Sequence, residues 1–118
     1  MPGLLMTASI LVCAAVASSG AVAGGDPAVE RGRNAIEKHG CAVCHRIPGI
    51  ASPGGGIGPP LAGIARRAYI AGTLPNDPDN LRRWIAHPQE VKPGTAMPDT
   101  GVTTQEASDI ANYLYVRG

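Results

Sequence analysis

Cys41-Ala42-Val43-Cys44-His45 constrains this chain more than any other stretch. Its Cys-x-x-Cys-His spacing is the attachment signature of a c-type haem. Two thiols three positions apart can bond covalently to the two vinyl groups of one porphyrin. The adjacent histidine is then held beneath the iron as an axial ligand. A chain that carries a macrocycle on so short a segment must wrap the rest of itself around it. Two other readings of the cysteines are weaker. A thioredoxin-like Cys-x-x-Cys belongs in a βαβ pattern, and none is visible. A zinc site wants a second ligand pair, and no cysteine follows Cys44.

Met97, in Lys92-Pro93-Gly94-Thr95-Ala96-Met97-Pro98, is the second feature. Met1 and Met6 lie in a leader, so Met97 is the methionine left to reach iron from the far side. A thioether is a soft ligand that favours ferrous iron, and His/Met ligation raises the reduction potential. Methionine more commonly fills gaps in a core. Met97 instead falls in a Pro/Gly-rich loop, where the flanking prolines stiffen the backbone and aim the side chain. His39 and His87 are the competing ligands, and both are expected on the surface.

The chain has 118 residues, enough for one domain. Its core is short of large side chains, with no Phe, one Trp and three Tyr. A buried macrocycle answers that shortage, so the apo-protein is expected to be marginal or unfolded. Sixteen Gly and eleven Pro predict much loop and turn. The net charge of +1 and the absence of long basic runs argue against nucleic acid as a partner. Arg66-Arg67 and Arg82-Arg83 are the local basic spots, either solvated helix faces or contacts for haem propionates.

Leu4 to Val16 is almost wholly apolar, and Ala21-Val22-Ala23 forms an Ala-x-Ala site. Residues 1–23 therefore read as a secretory signal peptide, leaving residues 24–118 as the mature domain. No Lys or Arg precedes the apolar stretch, which departs from the usual pattern. An uncleaved anchor is the alternative, since Leu4 to Ala23 is about one membrane span. A lipoprotein through Cys13 is disfavoured by the bulk of Val12 before it.

The first helix is predicted over Pro27 to Lys38, capped by Asp26 and ended by Gly40. Arg46 to Pro60 reads as a loop around Ser52-Pro53-Gly54-Gly55-Gly56. A short helix is predicted over Gly63 to Ala71. Another starts at Pro78 behind Asp77, has Leu81, Trp84 and Ile85 as its apolar face, and stops at Pro88. Gln89 to Val102 is the methionine loop. The last helix begins at the capping box Thr103-Thr104-Gln105-Glu106 and buries Ala107, Ile110, Ala111 and Leu114, with Tyr113 beside them. No segment alternates like a strand, so the fold class is all-α.

These motifs, in this order, resemble class I cytochromes c over essentially all of Pro27 to Val116. The resemblance implies the cytochrome c fold, a few short helices around one covalently attached haem c. It implies iron ligated by His45 and Met97, and haem attachment outside the cytoplasm. Gly58-Pro59-Pro60-Leu61-Ala62-Gly63 is similar to the family's Gly-Pro-x-Leu-x-Gly segment. There the carbonyl corresponding to Pro59 accepts a hydrogen bond from the histidine corresponding to His45. Gly32 and Ile36 would cross Ile110 and Tyr113, although the family usually has an aromatic residue at the position of Ile36. A narrower resemblance, Ala71-Gly72-Thr73-Leu74-Pro75-Asn76 through Leu81-Arg82-Arg83-Trp84-Ile85, is to the cytochrome c domain of bacterial haem–copper oxidase subunit II. For the propionates, Trp84, Tyr69 and one of Arg66 and Arg67 are the candidate partners.

With both axial sites filled, iron has no open position, and one-electron transfer between redox proteins is the expected function. The expected setting is the periplasm, in a respiratory chain with a terminal oxidase or dehydrogenase as partner. The alternative is a haem subunit of a periplasmic dehydrogenase or oxidase complex. A gas-binding or peroxidatic protein would need Met97 to be labile. A monomer is expected, with membrane contact only if the leader is kept.

Overall fold

A computed structural model describes residues 2–4, 9–15, 25–52 and 54–118. The expected leader cleavage site at Ala21-Val22-Ala23 lies outside the described residues, as does most of the small-residue stretch before it. Among the described residues no helix is long and apolar enough to cross a membrane.

Helix α1 (Pro27–Lys38) starts where Asp26 accepts a hydrogen bond from the Ala28 N–H at 2.9 Å, with proline in the first turn. It buries Val29, Gly32, Ala35 and Ile36 along one face. Helix α4 (Thr104–Arg117) has a complete capping box. Glu106 N–H donates to Thr103 Oγ1 at 3.1 Å, and Thr103 N–H donates to Glu106 Oε1 at 3.1 Å. The α1–α4 crossing is the most extensive packing between elements. A side chain at Gly32 would run into the Asp109 carbonyl and lie 2.8 Å from Tyr113 Cβ. Close backbone approach therefore offsets the cost of a glycine inside a helix.

Polar groups at the crossing are matched. Asp109 is only 4 % exposed, and its carboxylate accepts from Arg31 Nε at 3.1 Å and from Gln105 Nε2 at 3.2 Å. Tyr113 is buried, and its hydroxyl donates to the Pro48 carbonyl at 2.6 Å, tying α4 to the loop behind the cysteines. Helix α2 (Pro78–Ala86), capped by Asp77 through the Asn80 N–H at 2.8 Å, packs Leu81 and Ile85 against α4.

The fold is mostly helical, as expected, with three local corrections. The predicted helix over Gly63 to Ala71 is only a 3₁₀ turn at Ile64–Arg66. The chain then forms a two-stranded antiparallel ladder, β1 (Tyr69–Ile70) with β2 (Leu74–Pro75). Ala71 (φ 52°) and Gly72 (φ 71°) form its turn, closed by Thr73 N–H to the Ile70 carbonyl at 3.1 Å. Positive φ at both central residues matches the twist of a tight hairpin. Finally, Pro88 ends α2 but also begins the short α3 (Pro88–Val91), so the methionine loop is partly helical. Proline suits both roles, because it lacks an N–H and fits a first helical turn.

Candidate functional site

Helix α1 stops just before the cysteines. Gly40, at φ 67°, turns the chain, and Cys41–Val43 forms a single 3₁₀ turn. Residues three apart eclipse in such a turn, which places Cys41 and Cys44 on one side. His45 follows, its N–H bonded to the Cys41 carbonyl at 3.0 Å. Both thiols are free. Burial pushes the Cys41 thiol up, and a charge on Cys44 would push it further. A redox-active Cys-x-x-Cys needs the opposite shift.

The imidazole of His45 is held from two directions. Its Nδ1 lies 2.8 Å from the Pro59 carbonyl. A carbonyl only accepts, so Nδ1 carries the proton and Nε2 keeps its lone pair for a metal. Such an acceptor behind a ligating histidine orients the ring and raises its basicity. Gly58 lies against the same ring, where an added Cβ would come within 2.6 Å of Nδ1 and 2.9 Å of Nε2. Two backbone bonds hold the passing strand of chain in place, Gly58 N–H to Cys44 carbonyl at 2.8 Å and Leu61 N–H to Arg46 carbonyl at 2.9 Å. The glycine-rich loop also folds onto the motif, with Ser52 Oγ donating to the Ala42 carbonyl at 2.8 Å.

These groups open onto a cavity of about 550 Å³, within the usual range for a small-molecule or cofactor site. Helices α1 and α4 line it with Ile36, Ile110 and Leu114, and α2 contributes Leu81, Trp84 and Ile85. Cys41, Cys44 and His45 come from the motif, and Thr95, Ala96, Met97 and Pro98 from the methionine loop. Two thiols, an imidazole of defined tautomer and a thioether on apolar walls suit a covalently held porphyrin iron. The residues present therefore fit haem c. A bare metal ion is a poor fit, because among the described residues no three His, Cys, Asp or Glu side chains cluster.

Of the candidate propionate partners, Trp84, Tyr69 and Arg67 line the cavity, as does Pro59. Arg66 is exposed and is not part of the lining. The guanidinium of Arg67 donates to the carbonyls of Pro60 and Ala62, which anchors it at the rim. Lys92, the first residue of the methionine motif and not among the expected propionate partners, is a further cation of the lining and reaches the Ala71 carbonyl at 3.4 Å.

His87 is exposed, as expected, whereas His39 is half-buried. Its Nε2 lies 2.8 Å from the Glu106 carboxylate and its Nδ1 3.2 Å from the Thr100 carbonyl, so both ring nitrogens are committed within the protein. The same carboxylate accepts from Lys38 at 3.3 Å. Glu106 is held down at about 2, first by the Thr103 backbone N–H and then by His39. Gln89 also carried no signal in the sequence. Its side-chain amide bonds to the backbone of the methionine loop at three points.

The family described as Cytochrome c matches residues 29–115 of this chain. Among curated proteins, the chain is similar to cytochrome c oxidase subunit 2 of Alkalihalophilus pseudofirmus. Identity there is 38 % over 68 residues, covering 58 % of this chain and 19 % of that protein. The same-named protein of Bacillus sp. strain PS3 is 34 % identical over 93 residues, covering 75 % of this chain and 26 % of the relative. That of Bacillus subtilis is 24 % identical over 91 residues with the same coverage, 75 % and 26 %. The chain thus spans about a quarter or less of the length of these relatives.

Proposed function

Because this chain belongs to the cytochrome c family, we propose that it passes single electrons between redox proteins. It would carry one haem c bonded to Cys41 and Cys44, with iron between His45 and Met97. The observation that carries this reading is the convergence of His45, fixed through Nδ1 by Pro59, and Met97 on one apolar cavity. When bound, the haem supplies a reversible one-electron change at iron. The protein's part would be to hold the iron through His45 and Met97, so that no substrate or dioxygen would gain access. The apolar walls from α1, α2 and α4 exclude water and disfavour the extra charge of the ferric state, which raises the potential.

Electrons would enter and leave at the cavity mouth. Val43, Tyr69 and Ile57 line the cavity and are 57 %, 62 % and 72 % exposed. A small apolar rim of this kind suits brief redox encounters. With a net charge of +1, long-range electrostatic steering is weak. Arg67, Trp84 and Tyr69 would meet the propionates; their presence in the lining supports this, and supports Arg67 over Arg66.

The similarity to oxidase subunits supports a terminal oxidase as electron acceptor. It also supports a second reading, in which the chain is itself the haem subunit of such a complex. The apolar leader and the haem chemistry support export to the periplasm, with residues 1–23 as signal peptide.

The test is the optical spectrum of the ferric holoprotein beside a Met97→Ala variant. A weak near-infrared sulfur-to-iron band in the wild type that vanishes in the variant supports electron transfer. Its absence from the wild type, together with carbon monoxide binding to the reduced protein, would move the protein to a gas-binding or peroxidatic role.

A further inference from the structure

Gln89 is the second residue of α3, and its whole side-chain amide is committed to one loop. Nε2 donates to the Thr95 carbonyl at 2.7 Å and to the Met97 carbonyl at 2.8 Å. Oε1 accepts from the Gly94 N–H at 3.2 Å. The backbone N–H of Gln89 adds a bond to Asp99 Oδ1 at 3.3 Å. These bonds bracket Met97 from Gly94 to Asp99. They tie the loop to α3, which Pro88 and the end of α2 hold in turn. A primary amide is the one uncharged side-chain group that offers two donors and an acceptor in a single plane, and all three are used.

We propose that Gln89 is the positioning residue that keeps Met97 directed into the cavity. The proposal rests on Met97 as the second iron ligand and adds to that reading what holds it there. A thioether is soft, so its bond to ferric iron is the weaker one. The position is then kept by whatever keeps the loop closed. Opening the loop releases Met97 together with the Gln89 bonds. Each such bond is typically worth a few-fold to about tenfold in an equilibrium. Loss of the set should raise the open ferric population by roughly ten- to a hundredfold.

Two variants separate this role from mere packing. Gln89→Ala removes all three side-chain bonds and the bulk. Gln89→Glu keeps the shape and the acceptor for Gly94, but has no N–H for the Thr95 and Met97 carbonyls and sets a negative charge against them. The experiment is an imidazole titration of the ferric holoproteins, with the near-infrared band recorded in each. Imidazole competes for the position that Met97 leaves, so its affinity reads loop opening. The expected result is at least about tenfold tighter imidazole binding in both variants, with Gln89→Glu at least as affected as Gln89→Ala. The band should weaken in both. Wild-type affinity in both variants, or an effect in Gln89→Ala alone, overturns the proposal while leaving Met97 as ligand. Absence of the band from the wild type overturns both readings.

Discussion

Gly32 sits where no side chain can. A methyl group there would enter the Asp109 carbonyl and lie 2.8 Å from Tyr113 Cβ. In an open helix, Gly→Ala is worth up to about 1 kcal/mol of added stability. Here the sign reverses. Gly32→Ala must push α1 and α4 apart, at a cost of about 1–3 kcal/mol, and thermal unfolding should drop by roughly 4–8 °C per kcal/mol. An unchanged or raised midpoint would show that the crossing tolerates a wider spacing. This residue was legible through the family resemblance, and the cost of a glycine inside a helix gave the physical reason, a close neighbour. Cys41, Cys44 and His45 were legible because covalent chemistry demands a spacing. Gln89 and His39 were not. Their partners are backbone carbonyls or a capping carboxylate, reached through loop geometry that no periodicity encodes.

Among the elements, α4 shows how a local signal carries a distant contact. Its capping box was readable from Thr103 and Glu106 alone. The further use of the Glu106 carboxylate, by His39 and Lys38 of the α1 end, was not. The Thr103 backbone N–H first, and His39 and Lys38 after it, hold Glu106 near 2, below its ordinary value of 4.5. A depressed carboxylate stabilises the fold above the unfolded value and loses that contribution as pH falls through the folded one. Glu106→Gln should therefore lower the unfolding temperature at neutral pH. The gap to wild type should narrow between pH 4.5 and about 2, and largely close below it. A gap independent of pH would mean that the side chain acts by shape alone. The hairpin of β1 and β2 was missed for a simple reason. Two residues per strand are too few to show alternation, and Ala71-Gly72 is a weaker turn signal than Asn-Gly.

The molecule as a whole is built around its cavity. Ile36, Leu81, Ile85, Ile110 and Leu114 are buried core residues and also line that space. The shortage of large side chains therefore has a location, and the expected filler is the haem. A Cys41→Ala/Cys44→Ala variant, which cannot retain haem covalently, should lose most of its helical circular dichroism and its cooperative melt. A native-like melt without haem would show that the protein side chains suffice. The all-α class was legible from caps and periodicity, and the need for a buried macrocycle from the shortage of large side chains, whereas the walls of the cavity were not, since they come from three helices that meet only in the folded chain. The α1–α4 crossing joins segments from opposite ends of the domain, so it cannot form until the last helix is present. A chain synthesised N-terminus first therefore completes Cys41 and Cys44 before α4 exists to lock the crossing. If the protein takes haem c as proposed, that order of delivery would leave an interval for its attachment, ending when the last helix docks.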